Sequence, residues 1–384
     1  MLRNYISAAL ANLARNWLYA GITILGLAVS FAAAIIIGLY VRDEYSFERF
    51  IPGYQDVYRV QLDLALPGQK VQQFDQSLGT VARNFALDFP QAQYVARIQP
   101  QSQGLGQGRP QSVDSVGWAD PDFFRVMDYP VLAGDPVAAL HAPDGLVLTR
   151  SMARKYFGQD APIGKTLSIF AGRDMGPAGN APHPMRVLAV LKDIPSETHL
   201  NLQIFGSALM PDGPMAYEDA HPNPFNIGFL TYVRLKPGAS ADQVRQGLRA
   251  FDARHYPGAT PGAASPQFYR LVALSDIHFD ANNSGGILRQ AGSRAVDAGI
   301  AAVGGLIILI AAINFVTLMT ARATRRAVEV GVRKALGARR IDLVIQFMGE
   351  VLIYVLIALV IAVALVELTL PRVNAFLDRT IVFD

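Results

Sequence analysis

Three long apolar runs interrupt an otherwise mixed pattern of hydrophobic and polar positions. Trp17 to Val41 and Ala298 to Thr320 carry no formal charge, and Leu343 to Leu370 is broken only by Gln346, Glu350 and Glu367. Each run reaches the roughly 20 residues that a helix rising about 1.5 Å per residue needs to cross a bilayer. The pattern therefore predicts transmembrane helices over 17–41, 298–320 and 343–370. A cleaved signal peptide competes for the first run, given Arg3, Arg15 and the small residues Ala32 to Ala34. The run is longer than the usual apolar core of about 7–15 residues in such leaders, which favours an uncleaved anchor. Ahead of it, Leu2, Ile6, Ala9, Leu10 and Leu13 form one stripe at helical spacing. Residues 1–16 thus read either as an interfacial helix on the inner leaflet or as a lead-in to the first span.

Between the first two runs, over 42–293, the periodicity changes. Val60, Leu62, Leu64 and Leu66 alternate with Gln61, Asp63 and Ala65, and "MRVLAVL" and "GFLTYVRL" are short runs rich in strand formers. Ser240-Ala-Asp-Gln243 is a capping box ahead of Val244, Leu248 and Phe251 at helical spacing. The Gly/Pro-rich stretches 100–112, 171–184 and 256–266 predict loops. The fold class predicted is an α-helical membrane protein with a large α+β extracytoplasmic domain, of two lobes, inserted between the first and second transmembrane helices.

Charge sets the orientation. The chain of 384 residues has a net charge of +3, but residues 42–293 hold 22 basic and 24 acidic side chains, whereas 321–342 holds 7 basic and 2 acidic. Basic residues packed beside two spans place that loop in the cytoplasm. By alternation the N-terminus is inside, 42–293 lies outside, and a tail over 371–384 lies outside. So local a charge excess gives no footing for nucleic-acid binding. No cysteine occurs, which removes disulfides, thiolate metal sites and a cysteine nucleophile.

Candidate chemistry is sparse. Gly158 to Thr166, "GQDAPIGKT", imitates a phosphate-binding loop but has five residues between its glycines instead of four, and Pro162 lacks an N–H to donate. It reads as a structural turn. His141, His183, His199, His221, His255 and His278 are scattered, none at metal-ligand spacing. No G-x-S-x-G occurs, so the expectation is a non-catalytic chain binding no metal and no cofactor of its own. Glu350 is an intramembrane carboxylate, read either as functional or as reaching the headgroups from near a helix end.

The loop 321–342 is the most patterned segment. At 100° per residue, Arg322, Arg325, Arg326, Glu329 and Arg333 share one face, and Thr324, Val328, Gly331 and Ala335 the opposite one. Small residues let another backbone approach, and Gly337 is a natural helix stop. A basic loop that only enforces topology would need the arginines but not this spacing.

"RRAVEVGVRKALGARR" resembles the cytoplasmic-loop signature of the FtsX/MacB-type permeases of ABC transporters. "DEYSFERFIPGYQDVYRV", "LAGDPVAALHAPDGLVLTRSMARKYFGQDAPIGKTL", "VLKDIPSETHL" and "LSDIHF" resemble segments of the MacB-like external domain in long, duplicated members. The resemblance implies a permease subunit of the bacterial inner membrane that transmits motion from a separate cytoplasmic ABC ATPase dimer to its periplasmic domain, in export or efflux. ATP and Mg would bind that partner. Glu329, Gly331, Arg333, Lys334, Leu336 and Gly337 would form the ATPase contact. A second permease half or second copy, the lipid bilayer and a periplasmic adaptor are the further partners implied. Family members have a fourth span after the external loop that begins here around Pro371, whereas this chain stops at Asp384, and so it reads as the first part of a longer permease or a truncated product. The alternative function is a membrane-anchored extracytoplasmic sensor; a membrane-bound external enzyme is disfavoured by the missing signatures.

Overall fold

The structure, a computed structural model, describes residues 17–170, 182–223, 226–256, 266–280, 288–325, 327–336 and 339–383, without the side chains of 322–325, 327–329, 333 and 342. The sequence-predicted stripe over 1–16 lies outside the described residues. The chain divides into two compact units, one ending at Tyr45 and resuming at Arg294, the other running from Ser46 to Ser293.

In the first unit the three apolar runs are helices: Trp17–Glu44, Arg294–Arg325 and Arg340–Leu377. Each is long and apolar enough to cross a membrane. A helix satisfies its own backbone groups, which hydrocarbon cannot do. Ala20, Ile24, Ala28 and Ala32 form a row four residues apart on the first helix, and Tyr354, Ala358, Ala362 and Val366 form a matching row on the third. Rows at that spacing interdigitate, and their alanines bring the backbones close. Glu350 is buried within this unit, 7% exposed. The third helix runs past Leu370 and carries Pro371 in its interior. Beyond it the chain turns at Asp378 (φ 52°), and Asn374 bonds Ile381 in both directions. Arg379 then pairs with Glu44 at 2.7 Å.

The second unit is α+β, as the sequence pattern predicts. Its strands are β1 (Val57–Leu64), β2 (Gln72–Gln73), β3 (Ser77–Leu78), β4 (Ala92–Gly106), β5 (Ser112–Ala119), β6 (Val131–Gly134), β7 (Gly145–Thr149), β8 (Thr166–Phe170), β9 (Pro182–Leu191), β10 (Ile204–Ser207), β11 (Ile227–Leu235) and β12 (Gln267–Ala273). Its helices are α1 (Val81–Asp88), α2 (Phe123–Val126), α3 (Pro136–His141), α4 (Arg150–Phe157), α5 (Pro214–Ala220) and α6 (Ala241–His255). The main path of the sheet is β12-β1-β11-β4-β5-β10-β7-β9-β6, with β2, β3 and β8 paired off it. One sheet therefore runs through the region in which the sequence suggested two lobes.

Alternation along the strands feeds opposite faces. Val116, Trp118, Leu146, Leu148 and Ile204 enter one cluster, while Ala119, Val147 and Phe205 enter another on the other face. A third cluster joins Val60, Leu62 and Val233 to Phe85 of α1 and Phe251 of α6.

Two expectations change. The glycine-rich stretch 100–112 is not a loop at its start: β4 continues to Gly106 because Ile98 to Leu105 pair in register with Ala119 to Ser112. Backbone pairing overrides composition there. The alternation in β1 predicts one wet face, yet Arg59, Gln61 and Asp63 are buried as well as Val60 and Leu62. β1 is an inner strand between β11 and β12, covered on both sides. Other readings hold in detail. Ser240 caps α6 by accepting from the Gln243 N–H, and Gly158 (φ 69°) ends α4 within the false phosphate loop. Residues 171–181 and 257–265 of the other expected loops lie outside the described residues.

Candidate functional site

A short helix, Ala327–Ala335, stands between the second and third span helices. It continues into Leu336, whose N–H donates to the Val332 carbonyl at 3.0 Å. Val332 is 55% exposed and Leu336 83%. Gly331 and Lys334 are exposed, and a Cβ built on Gly331 would meet nothing within 4 Å. Five of the six expected contact positions thus have a described backbone on this helix or directly after it, and Lys334 and Leu336 have exposed, described side chains besides the glycine. The side chains of Glu329 and Arg333, and all of Gly337, lie outside the described residues. Two exposed apolar side chains one turn apart, beside an uncrowded glycine, form a surface that can receive another backbone.

In the second unit, polar groups are buried in three places that sequence reasoning did not assign. Glu48, wholly buried, accepts through Oε1 from the His199 backbone N–H at 2.5 Å and from the His199 ring Nδ1–H at 2.6 Å. Its Oε2 accepts from the Thr198 hydroxyl at 3.3 Å. His199 Nε2 accepts from the Tyr232 hydroxyl at 2.5 Å. A carboxylate can only accept, which assigns the ring proton to Nδ1 and leaves Nε2 for the tyrosine. Burial pushes the His199 pKa down, more than the nearby Glu48 raises it, so the pair is a hydrogen bond of a neutral imidazole and not an ion pair. Burial likewise pushes the Tyr232 hydroxyl up.

Arg97 of β4 is held between two carboxylates, Asp120 at 3.0 Å and Asp219 of α5 at 2.7 Å, and donates to the Gly79 carbonyl. Burial alone would lower its pKa; the bonds to Asp219 and Asp120 reverse that and raise it. A cavity of about 390 Å³ opens over it. At the sheet margin, Asp252 of α6 accepts the outward Tyr269 N–H of β12 at 3.3 Å, and Arg245 donates to the Leu271 carbonyl at 3.4 Å. Side chains of α6 thereby satisfy an edge strand that would otherwise offer free backbone groups. Burial lifts the Asp252 pKa to about 6.

Among the described residues no group of His, Asp and Glu could hold a metal ion. The sequence marked segments that carry these residues but not their burial or their contacts. Glu48, His199 and His278 fall within "DEYSFERF", "SETHL" and "LSDIHF", segments singled out with no role attached.

Two family models match the chain: MacB-like periplasmic core domain over residues 20–251, and FtsX-like permease C-terminal over residues 301–383. The macrolide export ATP-binding/permease protein MacB of Bdellovibrio bacteriovorus is 22% identical over 213 residues. That alignment covers 53% of this chain and 27% of the relative's length. Among solved structures, a domain assigned to a permease protein of Porphyromonas gingivalis aligns with a TM-score of 0.47 and 19% identity, over 65% of this chain and 97% of that one. The periplasmic region of MacB from Actinobacillus actinomycetemcomitans aligns with a TM-score of 0.39 and 14% identity, over 62% and 97%.

Proposed function

The chain belongs to the FtsX/MacB-type family of ABC transporter permeases, and from that premise we propose that it passes ATP-driven motion of a separate cytoplasmic ATPase to its external domain. The observation that carries this is the helix Ala327–Ala335, set between two spans with Val332, Lys334 and Leu336 exposed and Gly331 uncrowded. The seven basic residues of 321–342 support a cytoplasmic position for it. Glu329, Gly331, Arg333, Lys334, Leu336 and Gly337 make the contact in this reading, and ATP with Mg binds the partner. The second unit lies in the periplasm, and the N-terminus inside. A second permease half or copy and a periplasmic adaptor complete the assembly, whose role is export or efflux.

Co-purification tests the reading. Full-length chain solubilised from its native membranes should retrieve an ATP-binding subunit, and Gly331→Leu should abolish retrieval by blocking close approach while membrane insertion persists. A stable, inserted chain that retrieves no ATPase would sink the proposal and leave the membrane-anchored sensor.

A further inference from the structure

Glu48 lies four residues beyond the last residue of the first span helix. It is wholly buried, and its backbone sits at φ 63°, the left-handed region that a residue other than glycine adopts only where its surroundings demand it. Its own N–H donates to the Glu197 carbonyl at 2.9 Å. With the bonds to Thr198 and His199, both ends of this residue are fixed to the segment 197–199. That segment is fixed in turn by Tyr232, which sits on β11, paired to Arg59 of β1 on one side and to Ala96 of β4 on the other. A continuous set of hydrogen bonds therefore leads from a position just past the first span in sequence to β11, an inner strand of the sheet.

An apolar side chain could fill the same volume with equal or greater stability, since desolvating a carboxylate costs several kcal/mol. What a buried, fully bonded carboxylate supplies instead is direction. Its acceptors hold the chain at one position, where an apolar contact tolerates sliding. The resemblance-bearing segments "DEYSFERF" and "SETHL", far apart in the chain, meet at this contact.

We propose that Glu48 is the point at which displacement of the first span is delivered to the external sheet, with His199 and Tyr232 as its positioning residues. The inference rests on the reading of this chain as an ATP-driven coupler.

The test uses the full-length chain with its co-purified ATPase in lipid nanodiscs, following hydrogen exchange over 197–207 and 227–235 with and without ATP and Mg. The wild-type complex should show an ATP-dependent change in protection there. Glu48→Ala and His199→Leu should keep assembly and ATP hydrolysis but lose that change. Tyr232→Phe, which deletes one hydroxyl and opens no cavity, should diminish it. Leu248→Ala, a destabilising change in the separate cluster around α6, should retain it. An undiminished response in His199→Leu and Tyr232→Phe overturns the proposal, and so does an equal loss in Leu248→Ala, which would reduce the effect to general weakening. A wild-type complex that holds the ATPase yet shows no response removes the coupler reading, and this inference with it.

Discussion

Asp252→Asn is expected to stabilise the second unit at neutral pH. Asp252 is 6% exposed as a residue and the only described support of its carboxyl is the Tyr269 N–H at 3.3 Å, so burial raises its pKa from 3.8 to about 6. The fold thus prefers the protonated acid. Because the folded value lies above the unfolded one, this group's contribution is fully present below pH 3.8 and is lost as pH rises through about 6. A gap of roughly 2 units at about 1.4 kcal/mol each sets a ceiling of about 3 kcal/mol at pH 7.5. The cleft beside Asp252, lined by Arg245 and Arg249, admits solvent and positive charge, which reduces the expected gain to about 1–2 kcal/mol. Asparagine keeps an oxygen for the Tyr269 N–H and removes the titration. Urea unfolding of the Ser46–Ser293 unit, wild type against variant, measures the difference at each pH. The variant should gain between pH 5 and 7.5 and match wild type near pH 4. A difference that stays flat across that range, or a variant less stable at pH 7.5, would refute the assignment of a destabilising buried carboxylate.

Two other substitutions probe the same unit. Gly206→Ala places a Cβ 2.7 Å from the Trp118 ring directly across the β5–β10 pair, so overpacking should cost about 1–3 kcal/mol in the same unfolding experiment; an unchanged midpoint would mean the ring has room. Arg97→Met strands the Asp120 and Asp219 carboxylates, 19% and 55% exposed, with an expected loss of about 2–4 kcal/mol that Asp120→Asn in the same background partly recovers. A loss below about 1 kcal/mol would show the three groups to be dispensable as a network.

Local pattern made much of the architecture legible. Trp17–Glu44 and Arg294–Arg325 follow from run length alone, because a charge-free stretch of spanning length has few other ways to satisfy its backbone. Ser240 marked the start of α6, and "GFLTYVRL" and "MRVLAVL" marked β11 and β9, since caps and strand formers act within a few residues. A helix in the loop was legible in part: it covers Ala327–Ala335, while Arg322, Thr324 and Arg325, drawn on the same helix from the sequence, belong to the end of the preceding one. The buried polar contacts were not. Nothing near Glu48 in the chain announces His199, and nothing near Asp252 announces the edge of β12, because those partners are chosen by strand order.

The sequence by itself determined where the chain is helical and apolar enough for a membrane, where the α+β region lies between the first two spans, and which loop carries the concentrated positive charge. Each depends on composition, length or period over a short window. Only the tertiary structure decided that β4 runs on to Gly106, that both faces of β1 are covered, and that the third helix continues through Pro371. It also decided that Glu48, His199 and Tyr232 join. These outcomes depend on which distant backbone supplies a hydrogen bond or covers a face, and that choice is made by the packing of the whole unit and is not written in any one stretch of residues.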